Sequence, residues 1–330
     1  MMGQSRKSRK GDDGPYPDVR SAFTLTLLAM LAAAFTGVAF IDFGLLAALG
    51  IGQAIGVGAV ATMGAKRVAE PQAERLGLRV LDLKSLPAIL CLAPAVLLVS
   101  ELDNFAADWS DSPSSIESST EVRDADSFDS MSDFGESSSD LAFQEQPESE
   151  EGEPNELESQ LQTPLINPDD PWSLLSAFIV MVGISPIVEE FLFRGVIQQG
   201  LVQRLGLLRG VTMVALLWTL LRPAPIAGFT RFVAAAIASF ALGWALGIVR
   251  IATRSILGSI LLAAIWASVG LGSIALEGRM ELPGMNIQGT HLPVSVTIAS
   301  ALLVGWAGWT IYQEAARQFG LEGKKLPKDP

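Results

Sequence analysis

Long apolar runs constrain the fold of this 330-residue chain more than any other feature of its sequence. A run of about 20 apolar residues has the length of a helix that crosses a bilayer. Eight runs reach or approach that length: 22–41, 43–65, 86–100, 172–189, 210–221, 232–249, 256–275 and 294–312. The sequence therefore predicts an all-α fold, a polytopic membrane helix bundle of about eight transmembrane helices. The runs at 86–100 and 210–221 are short, so they make the helix count uncertain by one or two.

The basic residues predict how the bundle is oriented. With an even number of crossings, the arm 6–10, the loop 66–84 and the tail 317–328, which together hold most of the Lys and Arg, fall on one side. Loops rich in Lys and Arg stay on the cytoplasmic side. We therefore expect a multi-pass protein of the plasma membrane with both termini in the cytoplasm.

An acidic segment interrupts the apolar pattern. Residues 101–170 contain 21 Asp and Glu against a single Arg, with many serines and few aromatic residues. Low hydrophobicity combined with high net charge is typical of disorder. We predict a long disordered loop on the side opposite the termini. The predicted organisation is a basic arm at 1–21, N-terminal transmembrane helices at 22–104, the acidic loop at 105–170, a core at 171–276, and a last helix with its tail at 277–330.

Two adjacent carboxylates, Glu189 and Glu190, stand at the end of an apolar run. A carboxylate at membrane depth is disfavoured by about 2.5 kcal/mol or more, so such residues indicate a functional site. Arg194 follows Glu190 by four residues and lies on the same helical face, where the two side chains can pair. Glu189 is rotated by about 100° around the helix and is left for another role.

These residues carry a family resemblance. The stretch Glu189-Glu190-Phe191-Leu192-Phe193-Arg194 resembles the E-E-x-x-x-R motif of the CAAX-protease and bacteriocin-processing (Abi, CPBP) intramembrane metalloproteases. The resemblance covers residues 172–276. It implies an endopeptidase in which Glu189 is the base, Glu190 the second carboxylate and Arg194 the orienting cation. In active relatives, histidines from two later motifs, F-x-x-x-H and H-x-x-x-N, assist the glutamates and support a metal such as zinc.

The family histidines are missing from this chain. In an ungapped placement Arg222 stands at the first histidine position, four residues after Trp218, while Ala263 and Ala267 occupy the later His and Asn positions. The single histidine, His291, is expected in a loop before the last helix. We expect Glu189, Glu190, Arg194 and Arg222 to form a neutral charge cluster, with Arg222 as the charge partner that replaces the family histidine.

Zinc needs three or four N, O or S ligands, and the predicted core offers only two glutamates. Cys91, in the third run, is interpreted as a small buried apolar residue. We therefore predict no metal and no other cofactor.

Three functions remain open on the sequence. The first is an intramembrane endopeptidase by descent, or a degenerate homologue of one that lacks the family histidines. The second is a non-catalytic binding or regulatory membrane protein that uses the same fold to hold a peptide, a lipid or a partner helix. A transporter that relays protons through Glu189 is the weakest, because the sequence shows no convincing internal repeats. The predicted partners are membrane lipid and a membrane peptide or protein, with no nucleic acid.

Overall fold

The computed structural model describes residues 15–111, 165–222, 228–287 and 289–325. Within these ranges the regular structure is helical, with one isolated bridge between Pro283 and Ile287, and the predicted all-α class is confirmed. The first 14 residues of the predicted basic arm lie outside the described residues. So do residues 112–164, which make up most of the predicted acidic loop.

Seven described helices are long and apolar enough to cross a membrane, and an eighth apolar helix is shorter. In chain order they are α1 (Val19–Ala39), α2 (Leu45–Ala65), α3 (Leu83–Ser110), α4 (Pro171–Leu205), α5 (Leu207–Leu221, the short one), α6 (Phe229–Thr253), α7 (Ile256–Ala275) and α8 (Val294–Gly320). A short helix, Gln72–Leu76, lies between α2 and α3. The predicted membrane helix bundle is thus confirmed, and the short helix is the one predicted near Gly210.

Small residues bring α1 and α2 into close contact. A Cβ atom added at Gly52 would lie 2.7 Å from the Ala33 carbonyl oxygen, and one added at Gly56 would lie 2.5 Å from the Ala33 nitrogen. The two backbones can approach this closely only because no side chain separates them. Two tightly packed helices therefore form one edge of the bundle.

Helix α4 is much longer than the apolar run that predicted it. It includes two π-helical segments, Phe178–Ile184 and Phe191–Ile197, on either side of the α-helical turn Ser185–Glu190. Pro186 has no N–H to donate within the helix, and single π turns accommodate such interruptions and often mark functional sites. The helix continues through Arg194, whose buried charge is offset by Glu190 and by the carbonyl oxygen of Gly243. It ends at Gly206, whose φ of +85° suits glycine.

Helix α5 reverses the direction of the chain between α4 and α6. The contacts of Arg194 with Gly243 and of Gln198 with Gly247 both join residues 49 apart, so α4 and α6 run parallel. Two parallel helices joined by a helix between them require that helix to run the opposite way. Short as it is, α5 therefore returns the chain across the bundle.

Helix α3 also exceeds its predicted length. Its helical structure continues to Asp111, through residues 105–111 that the sequence analysis assigned to the acidic loop. Acidic side chains at this end of α3 find partners: Asp103, just before the extension, pairs with Arg231 at 2.6 Å, and Asp108, within it, contacts His291 at 2.8 Å. Pairing of this kind lets a charged sequence remain helical at the end of a span.

The main core surrounds α4. Phe193, Ile197 and Leu201 are completely buried, as is Leu246 on the parallel helix α6. Many large apolar side chains elsewhere are exposed, as expected for helices whose outer faces contact lipid. The most densely buried part of the bundle is therefore the part that holds the paired glutamates.

Candidate functional site

The paired glutamates lie inside the bundle. Glu189 is 4% exposed, Glu190 1% and Arg194 0%, and all three side chains belong to α4. Charged side chains are rarely enclosed to this degree unless they are paired. The partners of each carboxylate therefore decide what the site can do.

Three donors occupy the carboxylate of Glu189. Ser185 donates from Oγ to Oε1 at 2.7 Å, Trp218 donates from Nε1 to Oε2 at 3.1 Å, and Arg222 donates from Nη2 to Oε2 at 3.0 Å. Ser185 lies one helical turn before Glu189, while the other two donors come from the C-terminal end of α5. Both oxygens of Glu189 are thus engaged.

The turn at Gly206 sets the register that brings Arg222 to Glu189. Glu189 precedes Gly206 by 17 residues and Arg222 follows it by 16. In two antiparallel helices joined by a tight turn, residues at equal distances from the turn face each other. The Glu189–Arg222 contact therefore follows from the lengths of the helices and the position of the turn.

Glu190 pairs with Arg194 one turn further along α4. Oε1 of Glu190 lies 3.0 Å from Nη1 of Arg194, and Nη2 of Arg194 donates to the carbonyl oxygen of Gly243 at 2.8 Å. The Nη1–H bond does not point at the carboxylate, so this contact is an ion pair without hydrogen-bond geometry. Within the described part of the chain, Oε2 of Glu190 has no hydrogen-bond partner.

Trp218 separates the two arginines. Its ring lies 4.2 Å from the guanidinium carbon of Arg222 and 5.1 Å from that of Arg194. A cation above an indole ring is attracted to the π electrons, more strongly where water is excluded. The four charged side chains and this indole form what we call the charge cluster: Glu189, Glu190, Arg194, Trp218 and Arg222.

The sequence analysis did not assign roles to Ser185 and Trp218. Ser185 precedes Glu189 by four residues and Trp218 precedes Arg222 by four, a spacing that places side chains on the same helical face. That four-residue spacing is the sequence signal that could have identified both donors. Trp218 had been noted only as an aromatic residue at a family motif position.

The other predicted positions are on α7 and in the loop before α8. Ala263 and Ala267 are on α7, one turn apart, and Ala263 packs against the core. His291 contacts Glu101 and Asp108. Its partners are therefore carboxylates of α3, outside the charge cluster.

The residues of this site do not fit zinc. Among residues 15–111, 165–222, 228–287 and 289–325, no group of three His, Cys, Asp or Glu side chains could hold a metal ion. Oε2 of Glu190, which has no hydrogen-bond partner in the described part of the chain, supplies a single ligand where zinc needs three or four. The two nearby guanidinium groups also repel a cation.

An apolar groove of about 620 Å³ runs between the start of α2 and the first half of α4. Its walls include Leu45, Ile51, Ile179 and Ile184, and its polar end is formed by Asp170 and Ser173. Ile184 immediately precedes Ser185, the residue that holds Glu189. The groove therefore ends next to the charge cluster.

The fold and the site together define a polytopic helical membrane protein with an E-E-x-x-x-R motif buried between helices. Residues 171–269 match the family model described as Rce1-like, type II CAAX prenyl endopeptidase Rce1-like. This part of the chain is therefore similar to CAAX-protease-like membrane proteins, as the motif resemblance predicted. No curated protein and no solved structure matches the chain.

Proposed function

We propose that this chain is a degenerate, non-catalytic member of the CAAX-protease group, and that it binds a membrane component. One observation carries the proposal: Ser185, Trp218 and Arg222 together engage both oxygens of Glu189. A general base must reach the proton of a water molecule with a free lone pair. In this chain three of the roughly four lone-pair sites of the Glu189 carboxylate already accept hydrogen bonds, and one of the donors is the guanidinium of Arg222.

Without the family histidines, the site also lacks groups that would contribute to the rate of peptide hydrolysis. General acid–base help contributes about 10²- to 10⁴-fold to a rate, and loss of an oxyanion donor costs about 10²- to 10³-fold. Arg222, Ala263 and Ala267 offer no group that exchanges a proton near neutral pH. Each glutamate is instead paired with an arginine, Glu189 with the partly exposed Arg222 and Glu190 with the buried Arg194.

The proposal includes the absence of a resident metal. The donors that hold Glu189 and the cationic groups beside it oppose zinc at this position. Metal analysis of the purified protein tests this point. We expect less than one zinc for ten chains, and a stoichiometric zinc that disappears in Glu189→Gln would contradict it.

The proposed ligand of the groove between α2 and α4 is a membrane lipid, or an apolar segment of a membrane peptide or protein. The apolar walls and the absence of basic residues in the lining support this choice over nucleic acid or a soluble anion. Ile179 is half exposed on the wall, so Ile179→Trp fills the groove while leaving the charge cluster intact. We expect this variant to retain less co-purified lipid than Leu302→Trp, a matched control on the exposed surface of α8.

We further propose that the protein resides in the plasma membrane with both termini in the cytoplasm. The support is the distribution of basic residues and the reversal of the chain by α5, which makes eight passes. Labelling of single introduced cysteines with an impermeant reagent, in a Cys91→Ala background, tests this orientation. Met280→Cys should react from outside intact cells and Leu78→Cys should not, whereas the reverse pattern would contradict it.

Cleavage of a co-expressed membrane reporter tests the proposal against the peptidase alternative. The reporter carries a prenylated CAAX-like C-terminus, and an active family member serves as the positive control. We expect the reporter to stay intact in cells with wild-type protein, Glu189→Gln, or the exposed control Glu74→Gln. Cleavage by wild type and by Glu74→Gln but not by Glu189→Gln would establish the endopeptidase instead.

A further inference from the structure

The only histidine of the chain joins the loop 276–293 to the end of α3. Nδ1 of His291 lies 2.9 Å from Oε1 of Glu101, and Nε2 lies 2.8 Å from Oδ2 of Asp108. The backbone N–H of Leu292 donates to the second oxygen of Glu101 at 2.9 Å. One residue of the loop and its neighbour therefore hold two carboxylates of a membrane helix.

Helix α3 presents these groups on a single face. Glu101, Phe105 and Asp108 are spaced by four and then three residues, which places them along one side of the helix. The ring of Phe105 lies 4.7 Å from the imidazole ring of His291, centroid to centroid. The imidazole thus lies along the helix with a carboxylate at each of its two nitrogens.

This arrangement fits one protonation state of the histidine. A neutral imidazole has one N–H and can donate to one carboxylate, whereas an imidazolium donates from both nitrogens. Glu101 is buried, so losing the proton that faces it leaves a carboxylate held only by the N–H of Leu292. His291 is 34% exposed, so its proton can exchange with the aqueous phase.

Other charged groups lie on the elements around the imidazole. Asp103 on α3 pairs with Arg231 of α6, and Arg279 of the loop pairs with Asp169. Glu277, after the end of α7, lines the neighbouring cavity. Glu281 is exposed in the loop. Glu101 and Asp108 are the charged groups whose side chains contact the imidazole directly.

The loop is also fixed at a second point that involves no titrating group. Ser100 and Asn104 both donate to the carbonyl oxygen of Gly284, at 2.6 and 3.0 Å. A polar cavity of about 430 Å³ lies beside these two attachments. Its lining includes Asp103, Asp108, Arg231 and Glu277. Loss of one hydrogen bond of the histidine would therefore loosen the loop next to this cavity, while its attachment at Gly284 and the hydrogen bond from Leu292 to Glu101 stay.

We propose that His291 is a proton-operated clasp: when protonated it holds the loop 276–293 against α3 beside the polar cavity through two hydrogen bonds, and when it loses its proton it gives up one of them and the loop loosens. On the proposed orientation the clasp faces the outside of the cell and responds to external pH. The inference does not depend on the proposed function, because it concerns a region distinct from the charge cluster.

The sign of the effect follows from the two carboxylates. The hydrogen bonds with Asp108 and then Glu101 raise the pKa of His291 above its ordinary value of 6.5. A raised pKa in the folded state means that the clasp stabilises the structure fully below about pH 6.5. That contribution is lost as the pH rises through the folded-state pKa.

Because the chain has one histidine, its titration can be followed directly. Full-length protein with ¹⁵N-labelled histidine, purified without a histidine tag, gives one imidazole signal by NMR in detergent micelles. We expect a titration midpoint above 6.5 in wild type and lower midpoints in Glu101→Gln and Asp108→Asn. Glu281→Gln removes the same charge from an exposed position of the loop and should leave the midpoint unchanged.

Hydrogen exchange of residues 276–293, normalised to the intrinsic rates, tests the loosening of the loop. We expect protection to fall by about tenfold between pH 5.5 and pH 9 in wild type, as for the loss of one charge-assisted hydrogen bond. Protection in His291→Gln should be low at both pH values. A midpoint at or below 6.5, or loop protection that does not change with pH in wild type, would overturn the proposal.

Discussion

Arg194 and Glu190 form an ion pair whose two side chains are 0% and 1% exposed, with 3.0 Å between Nη1 and Oε1. Removing one member of such a pair leaves the other charge buried without compensation, at a cost of about 3–5 kcal/mol. We therefore expect Arg194→Leu and Glu190→Leu each to lower the stability of the protein by about this amount. Unfolding in mixed micelles, followed by far-ultraviolet circular dichroism, provides the measurement.

The double variant Arg194→Leu, Glu190→Leu should recover most of the loss, because two apolar side chains replace the pair. The matched control is the exposed pair Arg79 and Glu74, whose side chains are 43% and 60% exposed. Leucine at either of these positions should change stability by less than about 1 kcal/mol. Equal effects in the two pairs would show that burial does not govern the interaction.

Because α1 and α2 pack closely, we expect a single methyl group added between them to lower the stability of the protein. A Cβ atom at Gly56 would lie 2.5 to 2.6 Å from backbone atoms of Ala32 and Ala33, which cannot move independently of the helix. Overpacking of this kind typically costs about 1–3 kcal/mol, so we expect Gly56→Ala to lower the melting temperature. Gly270→Ala is the control, since no atom lies within 4 Å of its added Cβ. A melting temperature as high in Gly56→Ala as in the control would contradict the packing described here.

The N-terminal end of α1 predicts a pH dependence of stability. Asp18 caps this helix by accepting a hydrogen bond from the N–H of Ser21 at 2.9 Å, and contacts with Ser21 lower the pKa of Asp18 below its ordinary 3.8. A lowered pKa in the folded state gives stabilisation that is present above about pH 3.8 and is lost as the pH falls through the folded-state pKa. We expect Asp18→Ala to cost about 1 kcal/mol at pH 7. The difference between variant and wild type should narrow below pH 4, and a difference that is constant from pH 7 to pH 3 would exclude this role for the carboxylate.

Much of the fold could be predicted from the apolar runs, since their length alone determines which segments cross a membrane. The ends of α3 and α4 could not. Both helices continue through charged residues, and these are tolerated because they find partners: Arg231 and His291 for the carboxylates of α3, and Glu190 together with the carbonyl of Gly243 for Arg194. A prediction from hydropathy treats each charged residue as isolated. It therefore ends a membrane span at a charged residue, even where that residue is paired in the structure and the helix continues.

Part of the candidate site could be predicted from the sequence, because two of its residues lie one turn apart on the same helix. The Glu190–Arg194 pair follows from local spacing on one helix. The Arg222 contact depends on the register of α4 and α5 about Gly206, for which the sequence offered only an ungapped placement. The donors Ser185 and Trp218 have ordinary roles in most helices, and only the assembled bundle shows that they converge on Glu189.

The account's central claim is that Arg222 holds Glu189 as a structural partner. A double-mutant cycle of Glu189→Leu, Arg222→Leu and the combined variant, measured as unfolding free energies in mixed micelles, tests it most directly. We expect each single change to cost about 1–3 kcal/mol, less than at the fully buried pair because the Arg222 side chain is 42% exposed. The combined variant should be more stable than either single variant, which gives a coupling of at least about 1 kcal/mol. Additive losses with no coupling would contradict the claim and would leave Glu189 free for catalysis.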